Sequence, residues 1–195
     1  MFEKVVAAPA DPILGLTEEF KKDTRAEKIN LGVGIYKNEQ GETPVLATVK
    51  KAEAALIETE KTKSYLTIEG TAEYGLAVQK LLFGADAEIV AGKRAKTAQA
   101  PGGTGALRVA GEFIKRQLGE VKIWISNPTW ANHNGVFTAA GIETAQYSYY
   151  NAETKDKDFA AMVNDLQGAS EGDVVLLHGC CHNPTGIDPT AEEWE

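Results

Sequence analysis

The stretch that decides the fold is Val174-Val-Leu-Leu-His178-Gly-Cys-Cys-His182-Asn183-Pro-Thr-Gly186. Its first four residues form a short apolar run that is typical of a buried strand. The Asn-Pro-Thr-Gly segment that follows consists of residues that favour turns. The stretch therefore predicts a strand that delivers a polar turn to the rim of a sheet. In open α/β folds, ligands bind at that rim.

Upstream of this stretch, strand-like and helical patterns alternate along the chain. Strand-like runs occupy residues 96–100, 121–126, 144–150 and 173–178, and helical patterns occupy residues 106–114, 132–140 and 159–166. Two earlier helical patterns cover residues 46–59 and 76–83. Strands joined through helices are characteristic of parallel sheets, so the order predicts an α/β fold with a mainly parallel sheet.

Composition and charge exclude several classes of protein. The 195 residues are 43% apolar and 25% charged, which is ordinary for a globular domain. The net charge of −8 argues against a nucleic acid or a membrane surface as partner, because no basic field is present. No apolar run approaches the roughly 20 residues needed to span a bilayer. Cys180 and Cys181 are the only cysteines and do not make a disulfide framework, so we expect a cytoplasmic protein.

Three loops each follow a predicted strand at its carboxyl end: Gly102–Gly105, Asn127–His133 and Gly179–Gly186. The first loop places glycine N–H groups and a threonine hydroxyl at a helix N-terminus, which favours binding of an anion such as phosphate. It matches neither the Walker pattern nor the dinucleotide fingerprint. The alternative is a tight turn whose glycines serve geometry alone.

The other two loops offer aromatic and amide groups, each with a structural alternative. Trp130 could stack on a planar cofactor or pack in the core, and His133 could be functional or structural. Asn183 could donate from its amide or only form the turn. His178 and His182 have no third ligand at a recognisable spacing, so we expect no metal site. Together the three loops suit a phosphorylated, planar, hydrogen-bonding cofactor.

Five segments in order give the chain a family resemblance. They resemble the class-I aminotransferases that use pyridoxal phosphate (PLP), in particular the bacterial aspartate aminotransferase family. Aromatic amino-acid aminotransferases share similar motifs and are the alternative within the family. The segments are Asn30–Tyr36, Tyr65–Gly70, Gly103–Arg108, Asn127–His133 and His178–Gly186.

The resemblance implies a fold, a division into domains and an assembly. The fold is fold type I of the PLP-dependent transferases, with a large domain built as a three-layer α/β/α sheet. Residues 1–12 would form an N-terminal arm, residues 13–45 the N-terminal part of the small domain, and residues 46–195 an incomplete large domain. The family implies a homodimer.

The resemblance also implies roles for individual residues around PLP. Gly103 and Thr104 would hold the cofactor phosphate. Trp130 would stack on the pyridine ring and meet a substrate carboxylate. Asn183 would donate to the ring phenolate oxygen, and His133 would orient the acid that pairs with the pyridinium nitrogen.

Two further roles are implied outside these loops, with one local departure. Gly34 would contact the substrate carboxylate through its backbone N–H, and Tyr65 would reach the phosphate of the partner subunit's cofactor. Gly102 stands where many relatives have a serine, which removes one hydroxyl from the phosphate site. Asn127-Pro128 and Asn183-Pro184 are candidate cis peptide bonds.

The family reaction converts L-aspartate and 2-oxoglutarate into oxaloacetate and L-glutamate. In the family, the Schiff-base lysine and the substrate-binding arginines lie beyond the position of Glu195, so no catalytic residue is assigned here. We therefore expect the 195-residue chain by itself to lack transaminase activity, because the chemistry needs a positioned amine. The alternative is a non-catalytic fragment that binds a phosphate ligand or dimerises.

Overall fold

The structure is a computed structural model and describes residues 12–30, 32 and 34–195. The expected arm over residues 1–12 lies outside the described residues except for Pro12. The chain divides into two compact units, residues 1–63 and residues 64–195. The predicted domain boundary between residues 45 and 46 stays a prediction.

The described part of the first unit contains two helices, α1 (Pro12–Lys22) and α2 (Ala47–Thr59). Helix α2 confirms the helix predicted over residues 46–59. The Lys28 ammonium donates to the backbone carbonyl of Phe20 at 2.8 Å and lies 4.4 Å from the centre of its ring. A cation at this position satisfies a carbonyl that the helix end leaves without an intrahelical partner.

The second unit holds five helices and five strands among its described residues. In chain order these are α3 (Ala72–Phe83), α4 (Glu88–Ala91), α5 (Gly102–Leu118), β1 (Lys122–Asn127), α6 (Asn132–Ala139), β2 (Glu143–Ser148), β3 (Tyr150–Asn151), β4 (Asp156–Lys157), α7 (Phe159–Leu166) and β5 (Val174–Val175). A single 3₁₀ turn, Glu192–Trp194, follows. Helices α5, α6 and α7 confirm the three helices predicted between the strand-like runs.

The central sheet has three parallel strands in the order β2-β1-β5. Strand β1 pairs along its whole length with β2, and Ile123 and Trp124 pair with β5. Parallel pairing places the carboxyl ends of all three strands at one edge. Strands β3 and β4 form a separate antiparallel pair.

Side-chain alternation along β1 gives the sheet two packed faces. Ile123 and Ile125 are buried on one face, where Leu107 and Ile114 of α5 and Phe137 of α6 cover them. The opposite face carries a second cluster, in which Trp124 and the buried Tyr147 pack with Met162 of α7. Helices on both faces of a parallel sheet make the three-layer α/β/α arrangement that the sequence predicts.

A close approach of α5 to α6 depends on Gly111. A Cβ atom at this position would lie 3.0 Å from Ala140 Cβ and 3.4 Å from a ring carbon of Phe137. Gly111 is itself buried within α5. The missing side chain therefore lets α5 pack directly against the end of α6.

Three predicted strands differ from the structure. The strand predicted over residues 144–150 ends at Ser148 of β2, and Tyr150 belongs to β3. The strand predicted over residues 96–100 is wrong: the segment has no ladder partner among the described residues. Its Thr97 hydroxyl instead accepts from Gln79 at 3.0 Å, and the Gln99 N–H donates to the Glu69 carbonyl at 2.9 Å. The strand predicted over residues 173–178 is shorter, because the chain leaves β1 after the Leu176 N–H has donated to the Trp124 carbonyl at 2.8 Å.

Candidate functional site

The carboxyl edge of the sheet carries a cleft of about 320 Å³. Its lining comes from α5, from the β1–α6 loop, from the first turn of α6 and from the segment after β5: Leu107, Trp130, His133, Leu176, Leu177, His178, Cys180 and Asn183. We call it the histidine cleft. It brings together three of the predicted site residues: Trp130, His133 and Asn183. Its volume falls at the lower end of the range for small-molecule sites.

The predicted phosphate loop forms the first turn of α5. This helix begins at Gly102, and Leu107 of the same helix lines the cleft. The first N–H groups of a helix have no intrahelical acceptor, so they can hold an anion. Gly103 and Thr104 are exposed, and a Cβ added at Gly103 would meet nothing within 4 Å. The open space at this turn fits a bulky anion such as a phosphate ester.

Gly102 has a backbone conformation that matters for the predicted departure from the family. Its φ is +70°, in the left-handed region that L side chains rarely adopt. A serine at this position would therefore strain the turn in its present conformation. The donors that the loop itself offers are its backbone N–H groups and the Thr104 hydroxyl.

Both predicted cis peptide bonds are confirmed. Asn127-Pro128 follows β1 and Asn183-Pro184 follows the segment after β5, and each peptide is cis. The two turns flank the histidine cleft, since Trp130 and Asn183 both line it.

All three histidines of the chain lie in one aromatic cluster at the cleft. Trp130 and His133 meet edge to face with ring centres 5.4 Å apart, and His133 meets His178 in the same way at 5.3 Å. His178 stacks on His182 at 4.2 Å, and His182 stacks on Tyr149 at 3.9 Å. Each ring thereby fixes the plane of its neighbour.

Hydrogen bonds assign the proton of each ring nitrogen along part of this cluster. The Asn183 backbone N–H can only donate, and it lies 3.1 Å from His178 Nδ1. His178 Nδ1 is therefore unprotonated, and a neutral His178 carries its proton on Nε2, which lies 3.4 Å from Thr129 Oγ1. The Thr129 hydroxyl is then free to donate to His133 Nδ1 at 2.8 Å. When Thr129 donates to Nδ1, His133 bears its proton on Nε2 and can donate there to a carboxylate.

Burial keeps these imidazoles neutral. Desolvation lowers the pKa of His133, with a further lowering by nearby His178. Desolvation likewise lowers the pKa of His178, against an opposing effect of Asp188. The chain of donors described above needs neutral rings, and the lowered pKa values supply them at neutral pH.

His182 is the most deeply enclosed of the three, with 2% of its surface exposed. Ser126 Oγ lies 2.9 Å from its Nε2 and Thr185 Oγ1 lies 2.8 Å from its Nδ1. Desolvation, reinforced by His178, lowers the pKa of His182 to about 4. Both ring nitrogens of His182 are hydrogen-bonded to hydroxyl groups, and the residue does not line the cleft. The ring therefore supports the turn and is not available to a ligand in the cleft.

Two predicted site residues lie elsewhere. Gly34 belongs to the first unit, where a Cβ would meet nothing within 4 Å, and its contact with a substrate carboxylate stays a prediction. Tyr65 belongs to the second unit and is fully exposed beside a separate groove, which residues between 65 and 97 line. Its contact with a partner's cofactor stays a prediction.

The structure adds residues that the sequence analysis did not single out. Thr129 links two histidines, and Asp188 accepts the backbone N–H groups of Cys181 and His182 at 2.7 and 2.8 Å. The signal for Thr129 was its position four residues before His133. Nothing in the sequence points to Asp188, because its partners are backbone groups. The described residues contain no set of three or more His, Cys, Asp or Glu side chains placed to hold a metal ion.

Comparison with known proteins identifies the class. The sequence model of the family "Aminotransferase class I and II" matches residues 26–195, so the chain belongs to that family. Members of this family use PLP. No helix in the part of the chain that the structure describes has the length and apolarity to cross a membrane.

Among individual proteins, the chain is similar to aspartate aminotransferases and to an aromatic-amino-acid aminotransferase. The aspartate aminotransferases of Haemophilus influenzae and Escherichia coli K12 are 59% and 57% identical over all 195 residues, which make up 49% of each enzyme. A solved aromatic-amino-acid aminotransferase from Burkholderia pseudomallei, covalently bound to pyridoxal phosphate, matches with a TM-score of 0.93 and 47% identity. All of this chain aligns with that structure, and the aligned part makes up 49% of the Burkholderia pseudomallei enzyme. The chain thus spans about half the length of the relatives it matches.

Proposed function

We propose that the chain provides the cofactor-holding part of a PLP-dependent aminotransferase that moves an amino group between L-aspartate and 2-oxoglutarate. One observation carries the proposal: Trp130, His133 and Asn183 line a single cleft, and α5, which begins with a phosphate-type turn, contributes to the same cleft. The similarity to aspartate aminotransferases over all 195 residues supports the choice of reaction.

The residues of the cleft match PLP group by group. The first turn of α5 suits the phosphate, because it combines unpaired N–H groups with open space at Gly103. Trp130 offers an aromatic plane for a pyridine ring, and Asn183 is exposed with an amide that can donate to a phenolate oxygen. When bound, PLP supplies the electron sink for amino-group transfer.

The chain's own residues would orient the cofactor and control one proton. His133, protonated on Nε2, would donate to the acid that pairs with the pyridinium nitrogen. Thr129 keeps that proton on Nε2 by donating to Nδ1 at 2.8 Å. Trp130 is held edge to face by His133, so its plane is set before a ligand arrives. A preset plane lowers the entropy that binding costs.

Calorimetric titration of the chain with PLP and with pyridoxal tests the phosphate site. We expect PLP to bind at least about tenfold more tightly, since one charge-assisted hydrogen bond contributes about 1.5–3 kcal/mol. Thr104→Val removes the threonine hydroxyl and should weaken PLP but leave pyridoxal unchanged. Thr138→Val, at an exposed position of α6, is the matched control. Equal affinities for PLP and pyridoxal would refute the proposed phosphate site.

The chain by itself should not catalyse the reaction. No lysine of the chain lies in a motif that matches the family's reactive lysine, and the transfer needs such an amine. We expect no glutamate-dependent consumption of oxaloacetate by the purified chain with PLP. Turnover above a PLP-only blank would contradict this expectation.

An aromatic amino-acid aminotransferase is the second candidate, favoured by the structural match to the Burkholderia pseudomallei enzyme. Aspartate and phenylalanine, compared as amino donors in the complete enzyme, distinguish the two activities. A homodimer in which Tyr65 reaches the partner's cofactor is part of the same proposal. A non-catalytic fragment that binds a phosphate ligand is the remaining alternative. Borohydride reduction with PLP should label one specific lysine if the chain holds a complete reactive site, and lysines at scattered positions or none if its site is incomplete.

A further inference from the structure

The turn that carries Asn183 is closed by one carboxylate. Asp188 accepts the Cys181 N–H on one oxygen at 2.7 Å and the His182 N–H on the other at 2.8 Å. These bonds join the end of the turn to its beginning. Hydrogen bonds from these two N–H groups also lower the pKa of Asp188, which keeps the carboxylate ionised at neutral pH.

The clamped residues need such a restraint. Cys181 has a φ of +53°, in the left-handed region that a non-glycine residue adopts only at a cost in free energy. A residue in this region persists only where the surrounding contacts hold it. The two carboxylate bonds lie at Cys181 and at the next residue, so they supply that restraint.

The other contacts of the turn act further along it. The Gly186 N–H donates to the His182 carbonyl at 2.6 Å, and the Tyr149 hydroxyl donates to the Ile187 carbonyl at 2.6 Å. Thr185 lies against the His182 ring. Among these contacts, those of Asp188 are the ones that hold the N–H groups of the two residues before Asn183.

The position of the Asn183 peptide has consequences across the cleft. Its N–H meets His178 Nδ1 at 3.1 Å and thereby leaves the His178 proton on Nε2. Thr129 then donates to His133 Nδ1. A turn that shifted by one ångström would lose the first donor of this series, and the protons on His178 and His133 would no longer be fixed.

We propose that Asp188 is a positioning residue for the histidine cleft: its carboxylate holds the turn so that Asn183 is presented to the cleft and His133 carries its proton on Nε2. The consequence for PLP rests on the proposed function. The consequence for the histidine protons concerns this chain alone. Asp188 itself touches neither substrate nor cofactor in this account.

The test uses the fact that the chain has three histidines, all in this cluster. Long-range ¹H–¹⁵N spectra report which ring nitrogen carries the proton in each. We expect unprotonated Nδ1 and protonated Nε2 for His133 and His178 in the wild type. In Asp188→Asn, where one acceptor oxygen is lost, the two ¹⁵N shifts of His178 should move toward each other, and Asp188→Ala should move them further.

A matched control separates this role from general stability. Asp173, directly before β5, also accepts backbone N–H groups, from Lys122 at 2.9 Å and from Ser170 at 3.0 Å, but it does so at the start of β1 and away from the turn. Asp173→Asn should leave the ¹⁵N shifts of all three histidines unchanged. Thermal unfolding is measured for each variant to show that it is folded. If Asp188→Ala does not fold, the isosteric Asp188→Asn alone provides the test.

The outcomes distinguish this proposal from the proposed function. Unchanged histidine tautomers in Asp188→Asn, or the same change in Asp173→Asn, would overturn the positioning role. If the tautomers respond only to Asp188→Asn, the positioning role stands, even if wild-type chain does not bind PLP, a result that would refute the proposed function alone. If wild-type chain binds PLP, we expect Asp188→Asn to bind it several-fold more weakly.

Discussion

Replacing Thr129 with valine removes the hydroxyl that links two histidines and keeps the shape of the side chain. The lost bond to His133 Nδ1 is 2.8 Å long, within the range of a good hydrogen bond, whereas the lost bond to His178 Nε2 is longer, at 3.4 Å, and weaker. The substitution therefore tests one strong hydrogen bond in the cleft.

The magnitude follows from the burial of His133. The residue is 8% exposed, so water has little access to an Nδ1 atom that has lost its donor. An unsatisfied buried acceptor costs about 1–3 kcal/mol. The new valine methyl makes apolar contacts that offset part of this cost. We expect Thr129→Val to lower the free energy of unfolding by about 1–2 kcal/mol.

Urea unfolding of Thr129→Val and Thr138→Val, followed by circular dichroism, measures the difference. Thr138 is exposed on α6, and valine there should change the free energy of unfolding by less than about 0.5 kcal/mol. In Thr129→Val alone, the ¹⁵N shifts of His133 should also show that its proton is no longer fixed on Nε2. Equal unfolding free energies for the two variants, with an unchanged His133 tautomer, would refute the donor series.

Three further predictions concern stability. His182 has a folded pKa of about 4, below the unfolded value near 6.5, so the unfolded chain takes up the proton first. The free energy of unfolding should therefore be highest above pH 6.5. It should fall by about 2 kcal/mol as the pH drops toward 4, once solvent screening is allowed for. A His182 resonance that titrates near pH 6.5 would contradict this. Phe137→Ala, at 1% exposure, should cost about 3–5 kcal/mol in urea unfolding, against less than about 1 kcal/mol for Phe113→Ala at 64% exposure. Gly102→Ala should lower the melting temperature because φ is +70°, whereas Gly103→Ala, with open space and no such strain, should not; equal effects of the two would contradict the assigned turn.

The sequence predicted the parts of the fold that depend on local pattern. Helix α7 has its predicted bounds, Phe159–Leu166, because a 3.6-residue apolar period is a local property and Asp158 caps the helix by accepting from the Ala161 N–H. Strand β1 was predicted for a similar reason, since its apolar run is bounded by turn residues. Residues 96–100 form no strand because a ladder needs a neighbour, which the segment's own pattern does not contain.

The candidate site divides in the same way. That the loops of Trp130, His133 and Asn183 meet at one edge was predictable from topology. The roles of these residues at PLP came only from the family resemblance. The roles of Thr129 and Asp188 were not predicted, because each depends on distances between segments far apart in sequence. Thr129 contacts His178 across 49 residues, and Asp188 contacts backbone groups that every residue type offers.

A nuclear magnetic resonance titration tests directly whether PLP binds in the histidine cleft. The ¹⁵N-labelled chain is titrated with PLP and, separately, with inorganic phosphate. We expect PLP to shift the resonances of the Trp130 indole N–H and the His133 imidazole together, and to shift those of His182 less. Phosphate alone should leave the Trp130 resonance unchanged. Binding of PLP that leaves the Trp130 and His133 resonances unmoved, or no binding of PLP, would contradict it.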